Sequence, residues 1–404
     1  MYNRNSYLSK IMPFVDKPVI KVITGMRRIG KSCFLRQIID FIGQKNVGSD
    51  QILYINKELL EFDDICDYRA LNKRVLGHFE GVSGPKYLFI DEVQEIEGWE
   101  RAVVSLLAQG LIDIYITGSN AHLFSSDLAT LVSGRYIELP MYSLSLVEFL
   151  DFRDKKRTDA NAEFQLYLRL GGFPGIHHFG LQDDTVFQYI NALYSTIVLK
   201  DIVKRYEVRN VRLLEDLTRY VFDNAGAIFS ARSIAAYLKS QRLKVGVETI
   251  QKYLGYLISS YMIYRVPRYD IKGKRLLEIQ EKYYLGNLGL RHALLGYREA
   301  DISGLLENVV FLELKRRGYT VSLGKFGNRE VDFIAEKDNT KLYVQVTYLL
   351  SSPETVEREF SVLAAIKDNY PKYVLSLDPV WGQDYQGIQR VHLIDFLMSD
   401  LNDI

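Results

Sequence analysis

Three short stretches of the chain combine residue types that handle phosphate, metal and water. Gly25-Met26-Arg27-Arg28-Ile29-Gly30-Lys31-Ser32 satisfies the phosphate-loop pattern, lying between an apolar run and an amphipathic stretch. Its two glycines permit tight turns whose N–H groups, with the N-terminus of the following helix, surround a β-phosphate. Lys31 then sets its ammonium against the β- and γ-phosphates, and Ser32 offers a hydroxyl to Mg²⁺. Gly25, Arg27, Arg28, Ile29, Gly30, Lys31, Ser32 and Cys33 are therefore the expected contacts of a bound nucleotide, taken as ATP.

Further along, Tyr87-Leu88-Phe89-Ile90-Asp91-Glu92 is an apolar run ending in two carboxylates. Asp91 has the position of the acid that holds Mg²⁺. Glu92 can accept a proton from an attacking water, which points to hydrolysis and away from a small-molecule kinase, where such a base would waste the nucleotide. The third stretch, Thr117-Gly118-Ser119-Asn120, brings small polar side chains to the end of another apolar run. Asn120 and Ser119 are candidates for the γ-phosphate or the water, with a plain turn as the alternative. Arg135, after Ser133-Gly134, is a candidate charge for the γ-phosphate of this or a neighbouring subunit, or else an ordinary surface arginine.

These residues need a scaffold that delivers them to one edge. Residues 19–24, 51–55, 87–90, 112–117 and 136–139 are short and rich in β-branched or aromatic residues, while 31–42, 68–79 and 99–108 carry helical periodicity. That alternation reads as α/β units around a parallel sheet over residues 1–150. From 151 to 224 the sequence reads as a helical lid and connector, broken by the turn Gly171-Gly172-Phe173-Pro174-Gly175. Residues 225–290 read as a small winged-helix-like domain and 291–404 as a further α/β domain.

The chain has 404 residues, more than one hydrophobic core usually holds. Its two cysteines, Cys33 and Cys66, suit a reducing cytoplasm better than a disulfide-bonded exported protein. No stretch approaches the ~18 apolar residues that cross a bilayer, so no membrane role is expected. A net charge of +1 excludes a polycation that coats nucleic acid, yet residues 231–282 hold eleven Lys or Arg against four Asp or Glu. That local excess is what double-stranded DNA would meet. Ser230 caps a helix over 231–238, and a second helix follows from Gly246 to Ile258. Val247, Ile250, Leu254 and Leu257 form its buried stripe, leaving Thr249, Gln251, Lys252 and Tyr256 on other faces. Lys272-Gly273-Lys274-Arg275 is the tip of the next hairpin, the part of a winged helix that touches phosphate. A protein-binding module is the alternative, in which ATP drives a molecular switch.

The double arginine of the phosphate loop resembles a prokaryotic family of AAA+ ATPases. So do the run Asp91-Glu92-Val93-Gln94-Glu95-Ile96-Glu97-Gly98-Trp99-Glu100, the Thr117-Gly118-Ser119 end, Ser133-Gly134-Arg135, Gly171-Gly172-Phe173-Pro174 and Lys200-Asp201-Ile202. The resemblance implies an AAA-type ATP-binding domain, a winged-helix segment and a C-terminal domain of restriction-endonuclease-like fold. In the last of these, Glu307, Asp332 and the run Val344-Gln345-Val346-Thr347 resemble a nuclease core, with Gln345 in place of an acid and Thr347 in place of a lysine. Loss of a metal ligand and of a stabilising ammonium predicts a domain that does not cut DNA. ATP and Mg²⁺ are the expected ligands, and duplex DNA and a second copy of the chain the candidate partners.

Overall fold

The structure, a computed structural model, describes residues 2–121, 134–243, 245–378 and 384–399, with backbone alone at 277–280. It divides into two compact units, Met1–Met141 with Ser259–Tyr261, and Tyr142–Ile258 with Met262–Ile404.

In the first unit, α1 (Asn5–Ile11) precedes β1 (Ile20–Thr24), α2 (Lys31–Gly43), β2 (Ile52–Asn56), α3 (Tyr68–His78), β3 (Lys86–Asp91), α4 (Trp99–Gln109), β4 (Ile112–Gly118) and β5 (Tyr136–Pro140). The strands form one parallel sheet in the order β2-β3-β4-β1-β5. β1 is buried at every position, without alternation, as a strand covered on both faces must be. Leu88, Ile90, Ile114 and Ile116 meet Leu71 and Val75 of α3 and Val103 and Leu106 of α4 in one core. Helix starts follow local chemistry. Asp67 accepts the N–H groups of Arg69 and Ala70 to cap α3, and Gly98 and Gly110 bracket α4 in left-handed conformations. The α/β reading of this region holds, with all five strands and three helices where periodicity places them. The sequence pattern suggests no element before residue 19, whereas α1 packs there through the buried Tyr7 and Ile11.

The second unit opens with helices α5 (Leu146–Phe152), α6 (Ala160–Leu170) and α7 (Asp183–Thr196), the last running into a π-helical segment, Ile197–Lys204. Then come α8 (Val211–Asp223), β6 (Ile228–Phe229), α9 (Ala231–Ser240), α10 (Val247–Ser259), β7 (Ile263–Asp270) and β8 (Arg275–Leu285). The remainder is α11 (Leu288–Leu295), α12 (Ile302–Arg316), β9 (Thr320–Phe326), β10 (Arg329–Lys337), β11 (Thr340–Val346), α13 (Pro353–Ala364), β12 (Lys372–Ser376), β13 (Gln389–His392) and α14 (Leu393–Met398). One mixed sheet of eight strands, in the order β13-β12-β11-β10-β9-β7-β8-β6, runs through this unit.

No break in that sheet falls at residue 290. β7 pairs in parallel with β9 through Arg268–Leu323, Tyr269–Gly324 and Asp270–Lys325, which covers an edge that would otherwise present unpaired N–H and C=O groups. The hairpin read from sequence as a wing is thus continuous with the C-terminal strands. The Gly171-Gly172 turn has a packing role. Gly171 has φ +73°, and a Cβ there would stand 2.2 Å from Asn287 Oδ1, while one on Gly289 would stand 2.4 Å from the Leu170 carbonyl. Only glycines let the end of α6 meet the start of α11 backbone to backbone. Among the described residues no helix is long and apolar enough to cross a membrane.

Candidate functional site

Three strand ends of the parallel sheet converge at one edge. β1 runs into the loop 25–30, β3 ends in Asp91 followed by Glu92, and β4 ends in Gly118 followed by Ser119 and Asn120. Positive φ at Gly25 (141°), Arg28 (67°) and Gly30 (100°) curls the loop into a concavity that ends on the first turn of α2. The Lys31 ammonium sits inside it, donating to the carbonyls of Gly25 at 3.1 Å and Met26 at 3.0 Å and lying 3.7 Å from Glu92 Oε1. Ser32 follows, half-buried on the first turn, and Cys33 is exposed with a free thiol.

The two loop arginines part company. Arg27 is buried, with Nη1 donating to Glu58 Oε1 at 2.9 Å and Nη2 3.7 Å from Glu92 Oε2. Arg28 faces solvent. Ile29 is buried and anchors the loop from beneath, where the Arg4 guanidinium donates to its carbonyl at 3.2 Å.

The carboxylates are held from several sides. The Thr117 hydroxyl donates to Asp91 Oδ1 and accepts the Glu92 N–H at 3.0 Å, while the Tyr54 hydroxyl donates to Asp91 Oδ2 at 3.2 Å. Ser119 Oγ donates to Glu92 Oε2 at 3.1 Å, and the Gln94 amide donates to the same oxygen. Glu92 itself occupies a left-handed conformation, φ 57°, uncommon for a residue with a side chain. Burial pushes its carboxyl up, but Lys31 and Arg27, with the bonds from Gln94 and Ser119, outweigh that and hold it below the ordinary carboxylate range. Asn120 is buried just past the end of β4.

Arg135 is elsewhere. It precedes β5 and its carbonyl accepts the N–H of Ile20, so it lies at the opposite edge of the sheet from the loop. Six residues at ~3.3 Å each separate the two edges, beyond the reach of an arginine side chain. The expectation that Arg135 meets the γ-phosphate of its own chain is corrected: a parallel register places a residue before β5 beside the start of β1, away from its end. Ser133 lies outside the described residues. Arg4, Tyr54 and Glu58 have no local motif that could announce them, whereas Gln94 and Thr117 stand inside the quoted runs.

An AAA domain family matches residues 17–150, and the Domain of unknown function (DUF8612) matches 161–301. An uncharacterized protein of Haemophilus influenzae is 36% identical over 402 residues, 99% of each chain. An uncharacterized protein of Methanocaldococcus jannaschii is 33% identical over 366 residues, 86% of this chain and 79% of that one. This chain belongs to their family, a prokaryotic family of AAA+ ATPases. Among solved structures, the Aeropyrum pernix ORC1 protein in complex with DNA overlaps 73% of the chain and 92% of itself, at 12% identity and a TM-score of 0.30. A DNA polymerase III gamma subunit-related protein of Thermotoga maritima overlaps 49% and 66%, at 10% identity and a TM-score of 0.31. Overlaps this loose carry nothing further.

In the second unit of this AAA+ protein the basic segment is less uniformly exposed than its composition suggests. Lys272, Lys274 and Arg275 are exposed at the hairpin tip, where Asp270 Oδ1 accepts the N–H groups of Lys272 and Gly273. Gln251 and Lys252 are exposed on α10. Tyr256 is buried, stacked on Tyr206 with ring centroids 3.9 Å apart, which corrects its reading as a residue left on an outer face. Lys282 turns inward. Its ammonium lies 3.1 Å from Glu307 Oε2, 2.6 Å from Glu330 Oε1 and 3.9 Å from Asp332 Oδ1.

Asp332 and Gln345 adjoin on neighbouring strands, and Glu307 meets Asp332 through Lys282. Asp332 Oδ2 accepts the Val346 N–H at 2.8 Å, Gln345 Oε1 accepts the Asp332 N–H at 3.3 Å, and the Gln345 amide donates to Glu359 Oε2 at 2.9 Å. Thr347 is buried and its N–H donates to the Leu375 carbonyl. Lys282, Glu330 and Glu359 carry no sequence signal that would single them out. Among the described residues no group of three or more His, Cys, Asp or Glu is placed to hold a metal ion.

Proposed function

We propose that the first unit binds ATP with Mg²⁺ and hydrolyses it in the cytoplasm, with Glu92 as general base. The supporting observation is the pinning of Asp91 and Glu92 by Thr117, Ser119 and Gln94 at the edge where Lys31 stands. The residues present suit the ligand. The loop concavity offers N–H groups to phosphate, Lys31 is held by exchangeable carbonyls, and Ser32 with Asp91 supplies two oxygen ligands for Mg²⁺. Bound there, Mg²⁺ would neutralise charge on the β- and γ-phosphoryl oxygens.

Lys31 next to Glu92 makes Glu92 a weak base, because the ammonium favours the ionised carboxylate. Phosphates that draw Lys31 toward themselves lift that restraint, so Glu92 gains basicity when substrate is in place. Ser119 and Gln94 meanwhile keep its carboxylate aimed. Glu92 then takes a proton from the water that attacks the γ-phosphorus, and Asn120, buried at the same edge, is the candidate to orient that water. Arg135 is too far from its own loop to take part there. Its reading is as an arginine donated to a second copy, so a homo-oligomer is expected, and sedimentation with and without ATP tests it.

The second unit is read as a DNA-contacting winged helix followed by a non-cleaving, nuclease-derived α/β region. The order α8, β6, α9, α10, β7, β8, with β6 pairing β8, supports the former. Gln345 and Thr347, where an acid and a lysine would be needed, support the latter. Phosphate release with and without duplex DNA tests the whole: stimulation that vanishes with salt is expected, and turnover indifferent to DNA with no duplex bound would favour a protein partner.

A further inference from the structure

We infer that Lys282 is the resident cation of the carboxylate cluster in the second unit, holding the position that a divalent metal would otherwise take. The inference does not depend on ATP hydrolysis. Lys282 and Tyr284 come from β8, Glu307 from α12, and Glu330 and Asp332 from β10, so three carboxylates up to fifty residues from Lys282 in the chain meet at its ammonium. All are buried or largely so, and a carboxylate removed from water needs a compensating charge.

Two observations show that the cluster is built around the lysine. The Tyr284 hydroxyl donates to Glu307 Oε2 at 2.8 Å, fixing the oxygen that also faces Lys282. The Val346 N–H fixes Asp332 from the other side, and Gln345 bridges the Asp332 N–H to the Glu359 carboxylate. Burial of the Lys282 ammonium pushes its pKa down, but the surrounding carboxylates outweigh this and keep it charged. Burial and the neighbouring acids push Glu307 and Asp332 up. The carboxylate oxygens stand 2.6–3.9 Å from the ammonium, too widely spread to ligate a small divalent ion where they are, so a metal could enter only with the lysine gone and the acids drawn inward. Because β8 also forms half of the exposed hairpin, the same ammonium ties that hairpin to α12 and β10.

The test uses the full chain carrying Asp91→Asn, without nucleotide, so that the phosphate-loop metal ligand is absent. Mn²⁺ is followed by its electron paramagnetic resonance signal and by thermal unfolding. The Lys282 protein should bind no Mn²⁺ in the second unit and keep its Tm when Mn²⁺ is added. Lys282→Met should lose roughly 6–15 °C in Tm, as expected when one partner of a buried ion pair is removed. It should then take up one Mn²⁺ per chain and recover part of the loss, and adding Asp332→Asn should weaken that uptake about tenfold or more. If Lys282→Met does not fold alone, either refolding in Mn²⁺ or the added Glu307→Gln must restore it; failure of both overturns the inference. It is equally overturned if the Lys282 protein binds Mn²⁺ through Asp332 as tightly as the variant does, or if Lys282→Met folds with an unchanged Tm and binds none.

Discussion

Lys31 and Lys282 are both buried lysines facing carboxylates, but they are held in different ways. Lys31 leans on two backbone carbonyls and keeps 3.7 Å from Glu92, whereas Lys282 makes ion pairs at 2.6 and 3.1 Å with two acids and faces a third. Carbonyl contacts are neutral and easily exchanged for phosphate oxygens, while close ion pairs in a buried cluster are not. Contacts of the first kind suit a lysine that must turn to a ligand, and those of the second a lysine that serves the fold. The largest test of this contrast is kinetic. Glu92→Gln should retain ATP binding and lower phosphate release by about 10²–10⁴-fold, the usual cost of a general base, whereas Lys31→Ala should abolish binding of a fluorescent ATP analogue. Unchanged turnover in Glu92→Gln would remove Glu92 from the chemistry.

The two sites also differ in how far the sequence foretells them. The phosphate loop, Asp91 and Glu92 are each announced within a few residues, because a strand–turn–helix with glycines and a strand ending in acids are local patterns. Their supports are not: Arg4 and Tyr54 reach the site from elements with no motif, and only the fold brings them there. Arg135 shows the converse failure, a local triplet whose meaning depends on which end of a parallel strand it occupies. In the second unit Asp332 and Gln345 are legible through their resemblance to a nuclease core, but Lys282 is about fifty residues upstream of Asp332 in a segment whose composition marks it as surface charge. A charged residue counted toward a basic patch carries no sign of whether it points outward.

A second test compares stability. Lys31→Met should leave Tm within about 2 °C, since it removes a buried charge while Arg27 stays beside Glu92, whereas Lys282→Met lowers it by several times that. Equal losses, measured by circular dichroism melts, would erase the distinction between the two lysines. The third test is smaller and asks whether the exposed charges near Lys282 do what the buried one cannot. Neutralising Lys272, Lys274 and Arg275 together should weaken duplex binding and flatten its salt dependence by roughly one unit of slope for each phosphate left without its cation. Binding equal to the parent's in fluorescence anisotropy would clear the hairpin tip of any DNA role.

The smallest expected effect separates the two units by acid. His177 packs against the rings of Phe149 and Phe152, and His292 is buried beside Arg291. Burial first, then Arg153 and His178 for the one and Arg291 for the other, pushes each imidazole down to about 4. Folded, both rings stay neutral well below the pH at which they protonate in the unfolded chain, near 6.5. The unfolded state therefore binds more protons between those two values, and the stability these rings contribute is whole above pH 6.5 and lost as pH falls toward 4. At the phosphate-loop edge Lys31 and Arg27, outweighing burial, hold Glu92 below the ordinary carboxylate range, so it keeps its charge to lower pH than an unrestrained carboxyl. The share of the second unit's stability carried by these two rings should thus fall from pH 6.5 to 5, opposed by Glu307 and Asp332, whose raised pKa values act in the other direction, while the first unit still binds the fluorescent nucleotide. His177→Gln with His292→Gln should flatten that dependence; a double variant with the parent's slope would place the acid sensitivity in other groups.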